Sequence, residues 1–124
     1  MNREIKFRGK RKDKINNEWY YGFLIIEQDK AYWIDYYVDG KRYTVEVIKE
    51  SIGQFTGIKD KKGIEIYECD IIKTPRADWG VIVYKAPFFE VTVSETQSCM
   101  YTREWFNNVE VIGNIHENPE LLKN

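Results

Sequence analysis

Histidine and cysteine are scarce here: one His, at 116, and two Cys, at 69 and 99, in 124 residues. With no Cys-x-x-Cys pair, that inventory excludes the ordinary zinc spacings and any simple His-plus-Cys cage. Long apolar runs are missing too, since none approaches the roughly 18 residues of a membrane span. The start, Met1-Asn2-Arg3-Glu4-Ile5-Lys6-Phe7-Arg8, has no apolar stretch of signal-peptide length. The cytoplasm is therefore the expected compartment, where cysteines are more often unpaired, small-hydrophobe thiols than a Cys69–Cys99 disulfide. Gly9, Gly53, Gly57 and Gly63 occur singly, so no glycine loop is available to cradle a phosphate. Nothing repeats internally and no segment is low in complexity.

What is present is apolar and aromatic material. The chain is 43% hydrophobic, with four Trp, nine Tyr and six Phe, and 31% charged. That balance fits a folded globule of one domain or two small subdomains. The net charge of −1 conceals an asymmetry. Residues 1–14 carry seven basic side chains against Glu4 and Asp13, a local charge of +5, which leaves −6 for the remainder.

The dominant pattern is alternation with a period of two, broken every eight to twelve residues by turn signals. In Ile5–Lys10 the pattern predicts Ile5 and Phe7 inward, with Lys6, Arg8 and Lys10 on a basic outer face. Trp19–Ile26 and Ala31–Ile34 read as further strands, and Asp39-Gly40 as a hairpin turn between Tyr36–Val38 and Arg42–Val47. Asp60-Lys61-Lys62-Gly63 suits a type I turn closed by a left-handed glycine. Ile64 and Ile66 should then share a face, and Glu68-Cys69-Asp70 should bend the chain into Ile71-Ile72-Lys73. Gly80–Tyr84, Phe88–Val93 and Val109–Ile115 complete the strands, with a short helix over Tyr101–Asn107. Asn118 caps a closing turn that Pro119 begins. The expectation is a mainly β protein. Residues 58–124 form a small SH3-like barrel with a C-terminal helical turn, whose closure would remove exposed sheet edges. Residues 1–57 form an N-terminal β subdomain packed with it, or the two make one integrated domain.

Three segments in order carry a family resemblance: Gln54–Gly63 (QFTGIKDKKG), Ile66–Ile72 (IYECDII) and Val111–Leu122 (VIGNIHENPELL). With the opening Arg3–Arg8 (REIKFR), the chain resembles the YopX family of small phage- and prophage-encoded proteins over nearly its whole length. The resemblance implies an SH3-type barrel in the C-terminal half and expression in an infected bacterium, and it implies no particular activity. Cys69 departs from the pattern, standing where family members generally carry Gly. A positive φ at that site would cost Cys69 roughly 1 kcal/mol or more.

The best candidate for function is the N-terminal strip of Lys6, Arg8, Lys10, Arg11, Lys12 and Lys14. It could contact phosphates in a salt-dependent way, with Trp19 or Tyr20 as a stacking platform. The alternative, favoured by the acidic remainder, is that basic side chains on an edge strand discourage edge-to-edge pairing. The aromatic runs Trp19-Tyr20-Tyr21 and Tyr32-Trp33-Ile34-Asp35-Tyr36-Tyr37 are too dense to enter one core, because neighbours in a strand face opposite sides. Some must line a second packed surface, against the other subdomain or in a protein interface. Glu65, Glu68 and Asp70, like Glu117 and Glu120, read as turn-rich surface rather than a metal or acid–base site, with Asp70 bonding backbone amides. His116 lacks a metal-site partner, and no nucleophile motif surrounds Cys69 or Cys99. The expectation is a protein without cofactor or metal, neither enzyme nor membrane protein, that binds another protein or copies of itself. The alternative is a nucleic-acid-binding accessory using the basic strip.

Overall fold

The computed structural model describes residues 5–13, 18–28, 30–73, 79–85, 88–94, 97–99 and 108–122. The chain divides into two units, Met1–Phe55 and Thr56–Asn124. The first is built from β1 (Phe7–Lys10), β2 (Trp19–Glu27), β3 (Ala31–Val38), β4 (Lys41–Glu46) and the start of β5 (Gly53–Lys59). All pairings here are antiparallel, in the order β4-β3-β2-β1-β5. β3 is one continuous strand through Tyr36 and Tyr37, longer than the alternation up to Ile34 suggested. Asp39 and Gly40 take φ of 53° and 79° and pair Val38 with Lys41. Two positive φ values give the turn that matches the twist of its flanking strands.

Past β1 the chain bridges Arg11 to Val47, with Lys12 N–H donating to Glu46 C=O at 2.9 Å and Ile48 N–H to Lys10 C=O at 2.9 Å. A single 3-10 turn at Lys49–Ser51 follows. Buried Ser51 accepts from Lys10 N–H at 2.8 Å and donates to Ile48 C=O at 2.6 Å, so its hydroxyl is satisfied on both counts. Ile34, Val47 and Phe55 are the buried apolar side chains of this unit among the described residues. Ile5, expected inward, is 59% exposed and precedes β1.

β5 runs through the boundary, its first part pairing with β1 and its continuation forming a hairpin with β6 (Glu65–Tyr67). β7 (Asp70–Lys73), β8 (Gly80–Lys85), β9 (Phe88–Ser94), β10 (Gln97–Cys99) and β11 (Glu110–Asn114) make a second antiparallel sheet, in the order β10-β9-β8-β7-β11. No closed barrel is found among the described residues, and the SH3-like expectation is not confirmed. β6 is three residues long and pairs with β5 in the expected hairpin, while β7, the strand expected to open the barrel, pairs with β8 and β11. Ile64 lies before β6 and is 48% exposed, so it does not share the buried environment of Ile66. Ile66, Ile72, Ile82 and Val109 form the core, with Ile58 and Val111 against it. Each fully buried aliphatic of this kind contributes roughly 1.5–3 kcal/mol. The helix expected over Tyr101–Asn107 falls outside the described residues. Pro119–Leu122 forms a 3-10 turn, with Leu121 N–H donating to Asn118 C=O at 3.0 Å.

Two aspartates pin the turns of this unit. Asp60, buried, accepts from Lys62 N–H (2.8 Å) and Ile64 N–H (2.9 Å) through Oδ1, and from Val111 N–H (3.0 Å) through Oδ2. Gly63 closes the turn at φ 83°. Burial opposes ionisation of Asp60, but the backbone N–H groups of Val111, Ile64 and Lys62, with the charge of Lys62, outweigh it and hold the carboxyl below its ordinary range. Asp70 Oδ2 accepts from Tyr67 N–H at 2.8 Å, as the bend requires. Between them Cys69 sits at φ 74°, the left-handed geometry its departure from Gly predicts to be strained. Its backbone is tied on both sides, by Cys69 N–H to Ile82 C=O (2.7 Å) and Ile115 N–H to Cys69 C=O (3.0 Å).

Candidate functional site

Alternation along β2 and β3 sorts the aromatic runs onto two faces of the first sheet. Tyr21, Phe23 and Ile25 of β2 point to one side and are exposed, Phe23 to 61%. The register Phe23↔Asp35 and Ile25↔Trp33 puts Asp35, Trp33 and Tyr37 of β3 on that same side, Tyr37 at 58% exposure. Asp35↔Thr44 and Tyr37↔Arg42 extend it onto β4. The opposite side carries Tyr20, Tyr32, Tyr36 and Tyr43, where Tyr20 and Tyr36 lie 5.2 Å apart and Tyr36 and Tyr43 stack at 5.5 Å. The predicted aromatic set thus splits, with Trp19, Tyr21, Trp33 and Tyr37 on one face and Tyr20, Tyr32 and Tyr36 on the other.

A buried carboxylate stands in the middle of the exposed aromatic face. Asp35 Oδ2 accepts from Arg42 Nε at 2.7 Å and Oδ1 from Thr44 Oγ1 at 2.7 Å. Both oxygens are engaged, so the group stiffens the face. Gly22 makes the close approach of β2 and β3 here feasible, because a Cβ on it would lie 2.0 Å from the Asp35 carbonyl oxygen.

The basic strip is not the outward cationic row expected. Arg8 is only 6% exposed and its guanidinium lies 4.8 Å from the Trp19 ring centre, opposite Tyr21 in the β1–β2 register. A desolvated contact of that kind contributes about 2 kcal/mol, enough to draw the side chain down onto the ring. Lys6 Nζ sits 5.4 Å over Phe55. Arg11 pairs with Asp13 at 2.7 Å, and hydrogen bonding to Asp13, then to Tyr20, raises its pKa further above its ordinary value. Lys12 pairs with Glu46 at 3.2 Å. Lys14 lies outside the described residues. Lys12 also borders a cleft of about 250 Å³ with Lys30, Lys49, Tyr32 and Glu50, in which Lys49 Nζ lies 5.6 Å from the Tyr32 ring centre.

Two of the acidic candidates, Glu65 and Asp70, have local partners. Glu65 Oε1 accepts from Tyr67 Oη at 2.9 Å, and Asp70 serves its bend. Among the described residues no three or more His, Cys, Asp or Glu converge as a metal site, and no helix is long and apolar enough to cross a membrane. Cys69 takes part in no disulfide. Sequence reasoning missed Phe23 and Ile25, which the period of two from Tyr21 could have found. It also missed the Asp35–Arg42–Thr44 group, which becomes visible only when β3 and β4 are in register.

Comparison with known proteins agrees with this architecture. The crystal structure of protein EF1440 from Enterococcus faecalis is similar over 98% of this chain and 100% of that one, with 26% identity and a TM-score of 0.62. No curated protein matches the chain. The family model described as YopX protein matches residues 6–123. The chain therefore belongs to the YopX family.

Proposed function

We propose that this is a phage- or prophage-encoded binding module without catalysis, acting in the host cytoplasm, that recognises another protein through the β2–β3 face. One observation carries the reading. Tyr21, Phe23, Ile25 and Tyr37 are exposed side by side on a sheet face whose centre holds the hydrogen-bonded Asp35–Arg42–Thr44 group. Rigid aromatic side chains around a polar centre are the usual anchors of protein interfaces. Affinity purification from infected cells, with nuclease treatment, tests it. A partner should co-purify with the wild type, resist nuclease and be lost from the double variant Phe23→Ser, Tyr37→Ser. Recovery unchanged by that variant sinks the reading.

A second reading, a nucleic-acid accessory, draws support from the cleft where Lys12, Lys30 and Lys49 surround Tyr32. It expects a gel shift with short single-stranded DNA or RNA that weakens steeply with salt and is lost when these three lysines become Glu. The engagement of Lys6, Arg8, Arg11 and Lys12 within the protein favours the first reading.

A further inference from the structure

β4 is the outermost strand of its sheet. Its backbone phase follows from one bond, Val47 N–H donating to Tyr32 C=O at 2.8 Å. Antiparallel ladders alternate, so Val45, Tyr43 and Lys41 turn their N–H and C=O groups toward β3, while Arg42 and Thr44 turn theirs outward. Lys12 N–H occupies the edge at Glu46 C=O. Short of that point, the outward backbone groups of Arg42 and Thr44 meet no partner among the described residues.

Natural sheets guard such edges with outward-reaching charges. Here the guards are turned aside. Arg42 is drawn back over β3 by Asp35 at 2.7 Å, and Lys41 Nζ lies 5.7 Å from the Tyr43 ring centre. On the side opposite Phe23, the row Tyr20–Tyr36–Tyr43 crosses three strands and ends at this open edge, with Tyr43 exposed.

We propose that β4 pairs antiparallel with β4 of a second copy of this chain, about a two-fold axis through Tyr43. In that register Arg42 faces Thr44 of the second copy, and every outward N–H and C=O of both residues gains a partner. Tyr43 meets its counterpart at the close, non-hydrogen-bonded position, and the two tyrosine rows join into one. The neighbouring registers are worse. Centring on Arg42 sets like charges opposite each other, and centring on Thr44 drives the second copy against the Lys12–Glu46 bond. The pairing leaves the Phe23 face uncovered, so it stands independently of the proposed recognition surface.

Sedimentation velocity and amide hydrogen exchange on the full chain test the pairing. A species of twice 14.9 kDa should grow with concentration, while exchange at Arg42 and Thr44 slows and that at Tyr43 and Val45 is protected throughout. Thr44→Pro removes an outward N–H that β3 does not use and should give a monomer. Thr44→Val loses the same hydroxyl bond to Asp35 yet keeps the N–H, and should remain a dimer. Phe23→Ser should also remain a dimer. A wild type still monomeric at about 1 mM, a scale of very weak binding, overturns the proposal. So does a dimer whose Arg42 and Thr44 amides exchange as fast as in the monomer.

Discussion

Removing the Asp60 carboxylate should be among the most damaging single changes in the second unit. Its oxygens accept three backbone N–H groups, from Lys62, Ile64 and Val111, at 2.8, 2.9 and 3.0 Å. Two of these hold the turn closed and the third ties it to β11, fifty-one positions later in the chain. A hydrogen bond to a charged group contributes about 1.5–3 kcal/mol, and bonds sharing one acceptor group do not add fully. Asp60→Ala should therefore cost about 3–5 kcal/mol. Asp60→Asn can keep its oxygen on Lys62 and Ile64 but presents an NH₂ to Val111, and should cost about 1.5–3 kcal/mol. At about 4 °C per kcal/mol, thermal unfolding followed by circular dichroism should register the Asn variant about 6–12 °C below wild type. The pH dependence has a definite sign. The folded carboxyl is held below its ordinary value of 3.8, so its contribution is fully present above that pH and is lost as pH falls through the lower folded value. The gap between wild type and Asp60→Asn should thus be widest at neutral pH and narrow below about pH 4. An Asn variant within about 1 kcal/mol of wild type at pH 7, or a gap that widens in acid, would refute the tie to β11.

Cys69→Gly should raise stability by up to about 1 kcal/mol, read from urea midpoints, because φ 74° suits glycine and the backbone bonds at 69 persist. An unchanged or lower midpoint at constant slope would show that the side chain offsets its own strain. Gly22→Ala should leave little soluble protein, since its Cβ would meet the Asp35 carbonyl oxygen at 2.0 Å and must push two paired strands apart. A soluble variant with native circular dichroism counters that reading. Ile82→Ala, in the core of the second unit, should cost about 2–5 kcal/mol by chemical denaturation. Arg8→Leu should alter Trp19 fluorescence while changing stability by no more than about 2 kcal/mol, because it removes the ring contact but keeps the side chain apolar.

Local chemistry was legible wherever one turn or one period decided it. Asp39-Gly40, Gly63 and the bend at Asp70 all took the geometry that their residue types dictate, and Cys69 took the left-handed φ its place in the motif implied. Closure was not legible. Whether β7 and the strands after it close into a barrel depends on which strands meet at the two sheet edges, and that is settled by pairing over distance rather than by composition. Arg8 went wrong for a related reason. Alternation placed it correctly on one face, but a cation beside an indole across the β1–β2 register folds down instead of reaching into solvent.

The same dependence on register governs what kind of site the sheet can offer. Asp35 alone, buried among aromatic residues, would be a candidate acid–base group. Thr44 opposite it and Arg42 one row away convert it into a saturated group holding neighbouring strands. Asp60, Asp70 and Glu65 are likewise saturated or engaged by bonds to their own turns and strands. Acids committed in this way shape surfaces instead of moving protons, which is the physical reason for favouring binding over catalysis. The argument has a measurable edge. If Arg42→Ala released Asp35 into a reactive carboxyl without loosening the Phe23–Tyr37 face, the group would be a latent base. If instead the face loosens, seen as faster amide exchange across β3 and β4, its role is to keep the aromatic surface in one shape.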